Sequence, residues 1–332
     1  MNKFFQSPFF IQEMYKNVHG TLSFIQNSYS IGFYVLFFTL IYISSFLIFL
    51  FRIPIRNSYK RKQKILGLKK KNFWKLIGWI TLFFICLRSI TFLFIEIYGT
   101  NDYKIDPIDN IVKSKLWEFI PLHFCRIILL FIAFSLITYK LNLVKYFAYL
   151  GFLAGVVATI IPGLYNYSGF DSWWYWDYIL AHGYVVFMII LLWIIVNPKY
   201  TLKDTLISLS ISLLIGIFMF LINLITYNVA IYIYPNDFEQ RFKIVSNYWY
   251  LGINEYNEFQ NLLGVLTKWP YSLLGWTLIG IILFIICIIL SSFLSKVKII
   301  RDANSRKLKF IFTKSKYWFF YKKSFNLKNK GI

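Results

Sequence analysis

Residues 118–138 read EFIPLHFCRIILLFIAFSLIT. Beyond Arg126 the run is Ile, Leu, Phe and Ala with one Ser before it ends at Thr138. A helix rises about 1.5 Å per residue, so roughly 20 apolar residues cross the hydrocarbon of a bilayer. This stretch approaches that length, yet it opens with His123, Cys125 and Arg126. Titratable groups are costly in hydrocarbon and persist there where they pair or serve a site. The same stretch therefore indicates a membrane span and marks where chemistry is expected.

Six further segments have the same character, at residues 30–51, 74–98, 143–162, 176–196, 205–233 and 271–295. The composition agrees: 58% hydrophobic and 22% aromatic residues exclude an ordinary soluble domain. The expected fold class is all-α, a polytopic membrane protein of seven transmembrane helices. A net charge of +22 would suggest nucleic acid in a soluble chain. Here the basic residues fall in short linkers and in the tail, so no nucleic-acid partner is expected. The linker 52–75 holds Arg52, Arg56, Lys60, Arg61, Lys62, Lys64, Lys69, Lys70, Lys71 and Lys75, and Lys140, Lys145, Lys199 and Lys203 mark two later turns. The intervening linkers carry the acids: Asp102, Asp106, Asp109 and Glu118, then Asp171 and Asp177, then Asp237, Glu239, Glu255 and Glu258. The positive-inside rule then sets the N-terminus outside and the C-terminus in the cytoplasm of a multi-pass protein of the cell membrane.

Three regions follow: an external interfacial segment at 1–29, a membrane domain at 30–295, and a basic tail at 296–332. The first residues lack the apolar core and small-residue cleavage site of a signal peptide. The tail mixes Lys and Arg with Tyr317, Trp318, Phe319, Phe320 and Tyr321. It is expected to lie on the anionic lipids of the inner leaflet, with membrane lipids as the chain's partners. A partner-binding tail is the other reading. Cys86, Cys125 and Cys287 all lie in apolar segments without metal-ligand spacing, so neither a disulfide framework nor a metal site is expected. No cofactor motif is present.

The alternation of linkers sets the depth of the polar groups. The segments carrying His123 and Arg126, Arg88 and Glu96, Asp177 and His182, and Asn223 and Tyr227 all place them in the outer half of the bilayer. This one-sidedness predicts a cavity toward the exterior. On a helix His123 and Cys125 would lie roughly 200° apart, so a base for Cys125 would come from His182. Alternatively His123 and His182 face one another, one acting as base while Arg126 holds a phosphate or carboxylate. Blander readings stand beside these. Arg126 could pin two helices together through Glu96, and Arg88 could answer a carboxylate or helix-end carbonyls. Asp177 could cap its helix, Asn223 could be interhelical glue, Cys125 a buried small apolar group and His123 a satisfied interfacial histidine.

Pro121-Leu122-His123-Phe124-Cys125 resembles the PLHLC motif of the YwaF-like bacterial integral membrane proteins. Gly151, Gly155, Pro162 and His182 follow in the order of that family, as do Asn223 to Asn228 and Trp269-Pro270. The resemblance covers most of residues 30–295 and not the tail. That family is similar to the animal transmembrane protein 164, which is associated with acyl transfer onto ether lysophospholipids through a Cys and a His. The resemblance implies roles for His123 and His182. In the animal pattern the Cys directly precedes the His, a position held here by Leu122, with Cys125 one turn away.

The expected function is thus a lipid acyltransferase or esterase. His123 and His182 would supply acid–base chemistry and Cys125 is the candidate nucleophile. Arg126, Asn223, Tyr227, Asp177 and Glu96 are the candidate substrate-binding residues. The alternative is a transporter or binding protein for an amphipathic or anionic solute, using the same groups as ligands. A third is a structural subunit acting through its tail.

Overall fold

The computed structural model describes residues 28–98, 105–106, 111–112, 120–160, 170, 173–253, 264–301 and 308–325. The expected interfacial segment 1–29 lies almost entirely outside them. All seven apolar segments form helices: α1 (Ser28–Leu50), α3 (Lys70–Tyr98), α4 (Phe124–Ile137), α5 (Val144–Ile160), α6 (Trp173–Val196), α7 (Leu202–Ile233) and α9 (Ser272–Leu294). Short helices α2 (Arg52–Arg61), α8 (Phe238–Ile244) and α10 (Lys316–Lys323) join or flank them. Among the described residues the strands are confined to three two-stranded antiparallel hairpins: β1–β2 (64–65 and 68–69), β3–β4 (105–106 and 111–112) and β5–β6 (297–301 and 308–312). The protein is an all-α polytopic membrane protein, with six helices among the described residues long and apolar enough to cross a bilayer.

The seventh, α4, is shorter than expected. It spans 14 residues and starts at Phe124 rather than near residue 119. The cause is local. The residue before a proline is pushed out of helical backbone, so the helix cannot run through Ile120. His123 becomes its N-cap, with φ −58° and ψ 147°, and its carbonyl accepts from the backbone N–H of Arg126 and Ile127. The 200° separation expected of His123 and Cys125 therefore does not apply, because His123 is not on the helix.

Helix α6 is the centre of the bundle. About 61% of its spanning stretch is buried, against 17–28% for the other spanning helices. Its buried residues Val185, Ile189 and Leu192 pack with Ile128, Ile132 and Leu136 of α4, while Ile179 joins Tyr34 and Phe38 of α1. The lipid-facing residues of α1, α7 and α9 remain apolar, as a bilayer solvent demands. On α5, Gly151 and Gly155 lie on one face and let α6 approach closely. A Cβ on Gly155 would sit 2.5 Å from Val186 Cγ2, and one on Gly151 would sit 2.5 Å from Ile189 Cδ1. Gly155→Val is expected to lower stability by about 1–3 kcal/mol through overpacking, read as a lower unfolding temperature in detergent.

The basic linkers meet at one end of the bundle. Lys145 pairs with Asp204 at 2.7 Å, and Thr201 and Asp204 form a capping box that starts α7. Buried Arg52 donates to the carbonyls of Ser295 and Val297 at 2.6 and 2.7 Å. The region expected as a tail returns onto this end. Ser295 and Ser315 share a 2.5 Å hydrogen bond, Leu202 N donates to Ser324 Oγ, and Tyr321 stacks on Tyr200. Residues 296–301 and 308–325 thus cap the bundle, and Phe310, Phe312, Trp318 and Phe319 stay exposed on the outside.

Candidate active site

At the opposite end, Arg126 in the first turn of α4 meets Asp177 in the second turn of α6 through a short Nη2–Oδ2 ion pair. Arg88 of α3 approaches the same oxygen, its Nε 3.7 Å away. Three helices are tied to one carboxylate. Arg88 and Arg126 are buried and the Asp177 side chain is 11% exposed, so this pairing forms within the bundle rather than in water. Among the described residues, no acceptor takes the remaining N–H groups of Arg126. The carboxylate that Arg88 was expected to answer is Asp177. The pinning role expected of Arg126 with Glu96 is carried out with Asp177; Glu96 lies on α3, but its side chain falls outside the described residues.

His182 lies one helical turn beyond Tyr178 and about 8% exposed. Its Nδ1 is 2.7 Å from the Tyr178 carbonyl, and its ring lies 4.2 Å from the Tyr178 ring. A carbonyl oxygen only accepts, so Nδ1 carries the proton in the neutral ring and Nε2 presents a lone pair. The Tyr178 hydroxyl in turn donates to the Ala158 carbonyl at 2.6 Å, fastening this ring to α5. His182 follows Asp177 by five residues on α6, His123 precedes Arg126 by three, and Arg126 meets Asp177. The histidines and the Arg–Asp pair therefore occupy one region.

His123 is held from the far side. Its ring stands edge-on to Tyr248 at 5.7 Å. Tyr248 Oη donates to the Ile120 carbonyl at 3.3 Å, and Trp249 Nε1 donates to that of Leu122 at 2.9 Å. Residues 246–251 thus clamp the segment that carries His123. Asn223 fixes the clamp: its Nδ2 donates to the Tyr248 carbonyl, while its Oδ1 accepts from Ser246 Oγ and Tyr248 N. Tyr227, one turn on, packs near Ala230 and Val245. Asn223 therefore supports the clamp, and Tyr227 packs on the same helix beside it. Cys125 is half-buried and free, and among the described residues its sulfur makes no hydrogen bond to either histidine. Among the same residues no group of three His, Cys, Asp or Glu side chains gathers as a metal would need.

Sequence reading missed Tyr248 and Trp249 as holders of His123. The signal available was a run of three aromatics after Asn247, which reads equally as an interfacial belt. A model of the TMEM164 family matches residues 23–288, well over half of the chain. No curated protein and no solved structure matches it.

Proposed function

The chain belongs to the TMEM164 family, and from that premise we propose that it is a lipid-modifying enzyme of the cell membrane, transferring or hydrolysing an acyl ester of a phospholipid. The observation that carries this reading is the tethered His182. A buried imidazole with Nδ1–H held by a carbonyl and Nε2 left as acceptor has the arrangement of a general base. In the reaction, Nε2 takes the proton of an acceptor hydroxyl as that oxygen attacks the ester carbonyl of a donor lipid. The imidazolium then returns the proton to the departing alkoxide, which leaves as the lysolipid alcohol. The acceptor is a lysophospholipid in transfer and water in hydrolysis. The uncommitted N–H groups of Arg126 suit a phosphate of the donor or acceptor, with Asp177 holding the guanidinium in place.

A route through Cys125 would need its thiol to pass a proton to an imidazole within hydrogen-bond reach. The test is purified protein in lipid nanodiscs with a labelled lysophospholipid and an unlabelled phospholipid donor, read by mass spectrometry. Labelled diacyl product or released fatty acid is expected. No turnover, with an unaltered lipid profile and altered solute uptake in a deletion strain, would overturn the enzyme in favour of transport.

A further inference from the structure

We propose that the groove between α1, α2 and the β1–β2 hairpin binds one anionic phospholipid, with an acyl chain in the groove and the headgroup on Lys62 and Lys64. This site is at the lysine-rich end of the bundle, away from His182, and is independent of the reaction proposed above. The groove has a volume of about 780 Å³ and is walled by Leu47, Phe51, Ile55 and Ile65, with Lys62 and Lys64 also lining it. Its origin is in the sequence. Pro54 has no N–H for the carbonyl of Leu50 and its ring crowds that carbonyl, so the chain bends between α1 and α2. The bend opens a space beside a membrane-spanning helix, and the hairpin bridges it. Such a space faces acyl chains on one side and headgroups on the other.

The hairpin tip gives a second, independent indication. Its two-residue turn is Leu66-Gly67, with φ +47° at Leu66 and +80° at Gly67. Asn, Asp or Gly usually fill the first of these positions, because a larger side chain is strained there. Here it is a leucine that is 88% exposed. Among the described residues, that exposure leaves it little contact to repay the arrangement. Burial of the leucine among lipid chains would repay it, with basic side chains around the tip held at headgroup level. Exposed Lys60, Arg61, Lys62, Lys64 and Lys69 provide that ring of charge. Its sign selects an anionic headgroup over a zwitterionic one.

The experiment is native mass spectrometry of the full chain from detergent micelles, with phosphatidylglycerol and phosphatidylcholine of matched acyl chains in equal amounts. The phosphatidylglycerol adduct is expected to dominate. Losing two lysines near the headgroup should weaken it by about thirtyfold in a Lys62→Ala/Lys64→Ala variant. Both lysines are exposed, so the unfolding temperature should not move. Ile55→Trp, which fills the groove, should remove the adduct; if it lowers the unfolding temperature, Leu47→Trp on the exposed wall makes the same test. Equal retention of the two lipids overturns the proposal. So does undiminished phosphatidylglycerol binding in the double lysine variant or in a folded groove-filling variant.

Discussion

Asp177→Asn is expected to destabilise the protein by about 3–5 kcal/mol, the usual cost of removing one partner from a buried ion pair. Asp177 is the carboxylate that both Arg126 and Arg88 approach. An amide leaves two guanidinium groups without that negative charge in a region of low dielectric. A loss of this size approaches the whole stability of many domains. Arg126→Gln should cost less, because the carboxylate it leaves behind still faces Arg88. Thermal unfolding in detergent would order the two variants. If Arg126→Gln proved the more damaging, the carboxylate would not be the hub that the geometry makes it.

The second large effect concerns His182. His182→Gln can still donate an N–H to the Tyr178 carbonyl, so the fold should persist with little change in unfolding temperature. Glutamine cannot take and return a proton near neutral pH, so acyl transfer or hydrolysis should fall by about 10²-fold or more. Cys125→Ser separates the routes. Activity within a few-fold of the parent is expected if histidine is the base for an acceptor hydroxyl, whereas a thioester route would be lost. Full activity in a His123→Gln/His182→Gln double variant would leave a polar-stitched bundle with no acid–base role for either ring.

The helices were legible because a bilayer imposes one requirement, an apolar run of sufficient length, and hydropathy reads it directly. The polar residues of interest were legible for the same reason. His182, Asp177 and Arg126 stand out because each is costly at its depth. The partner of each was not legible. Arg126 and Asp177 are 51 residues apart, and their meeting depends on how α4 and α6 are rotated against each other. Asn223 shows the same limit. Its polarity within an apolar helix was visible, but not that its amide would be spent on the loop at 246–248. That α4 does not run through residues 119–120 could have been read, since Pro121 disfavours helical backbone at the residue before it. The return of residues 308–325 onto the bundle could not, because a basic aromatic sequence suits a lipid surface as well as it suits Tyr200 and Ser295.

The central place of α6 sets a timetable for synthesis. It is the fifth apolar segment to leave the ribosome, and α1, α4 and α5 are all built against it. Until it emerges, those segments have entered the translocon without the surface they are shaped to fit. Asp177 trails Arg126 by 51 residues, which at cellular elongation rates is a wait of about 3–10 s. For that interval the arginine must be sheltered by the insertion machinery, by snorkelling to the headgroups or by water. The pairing of Arg126 therefore waits on the arrival of one late helix.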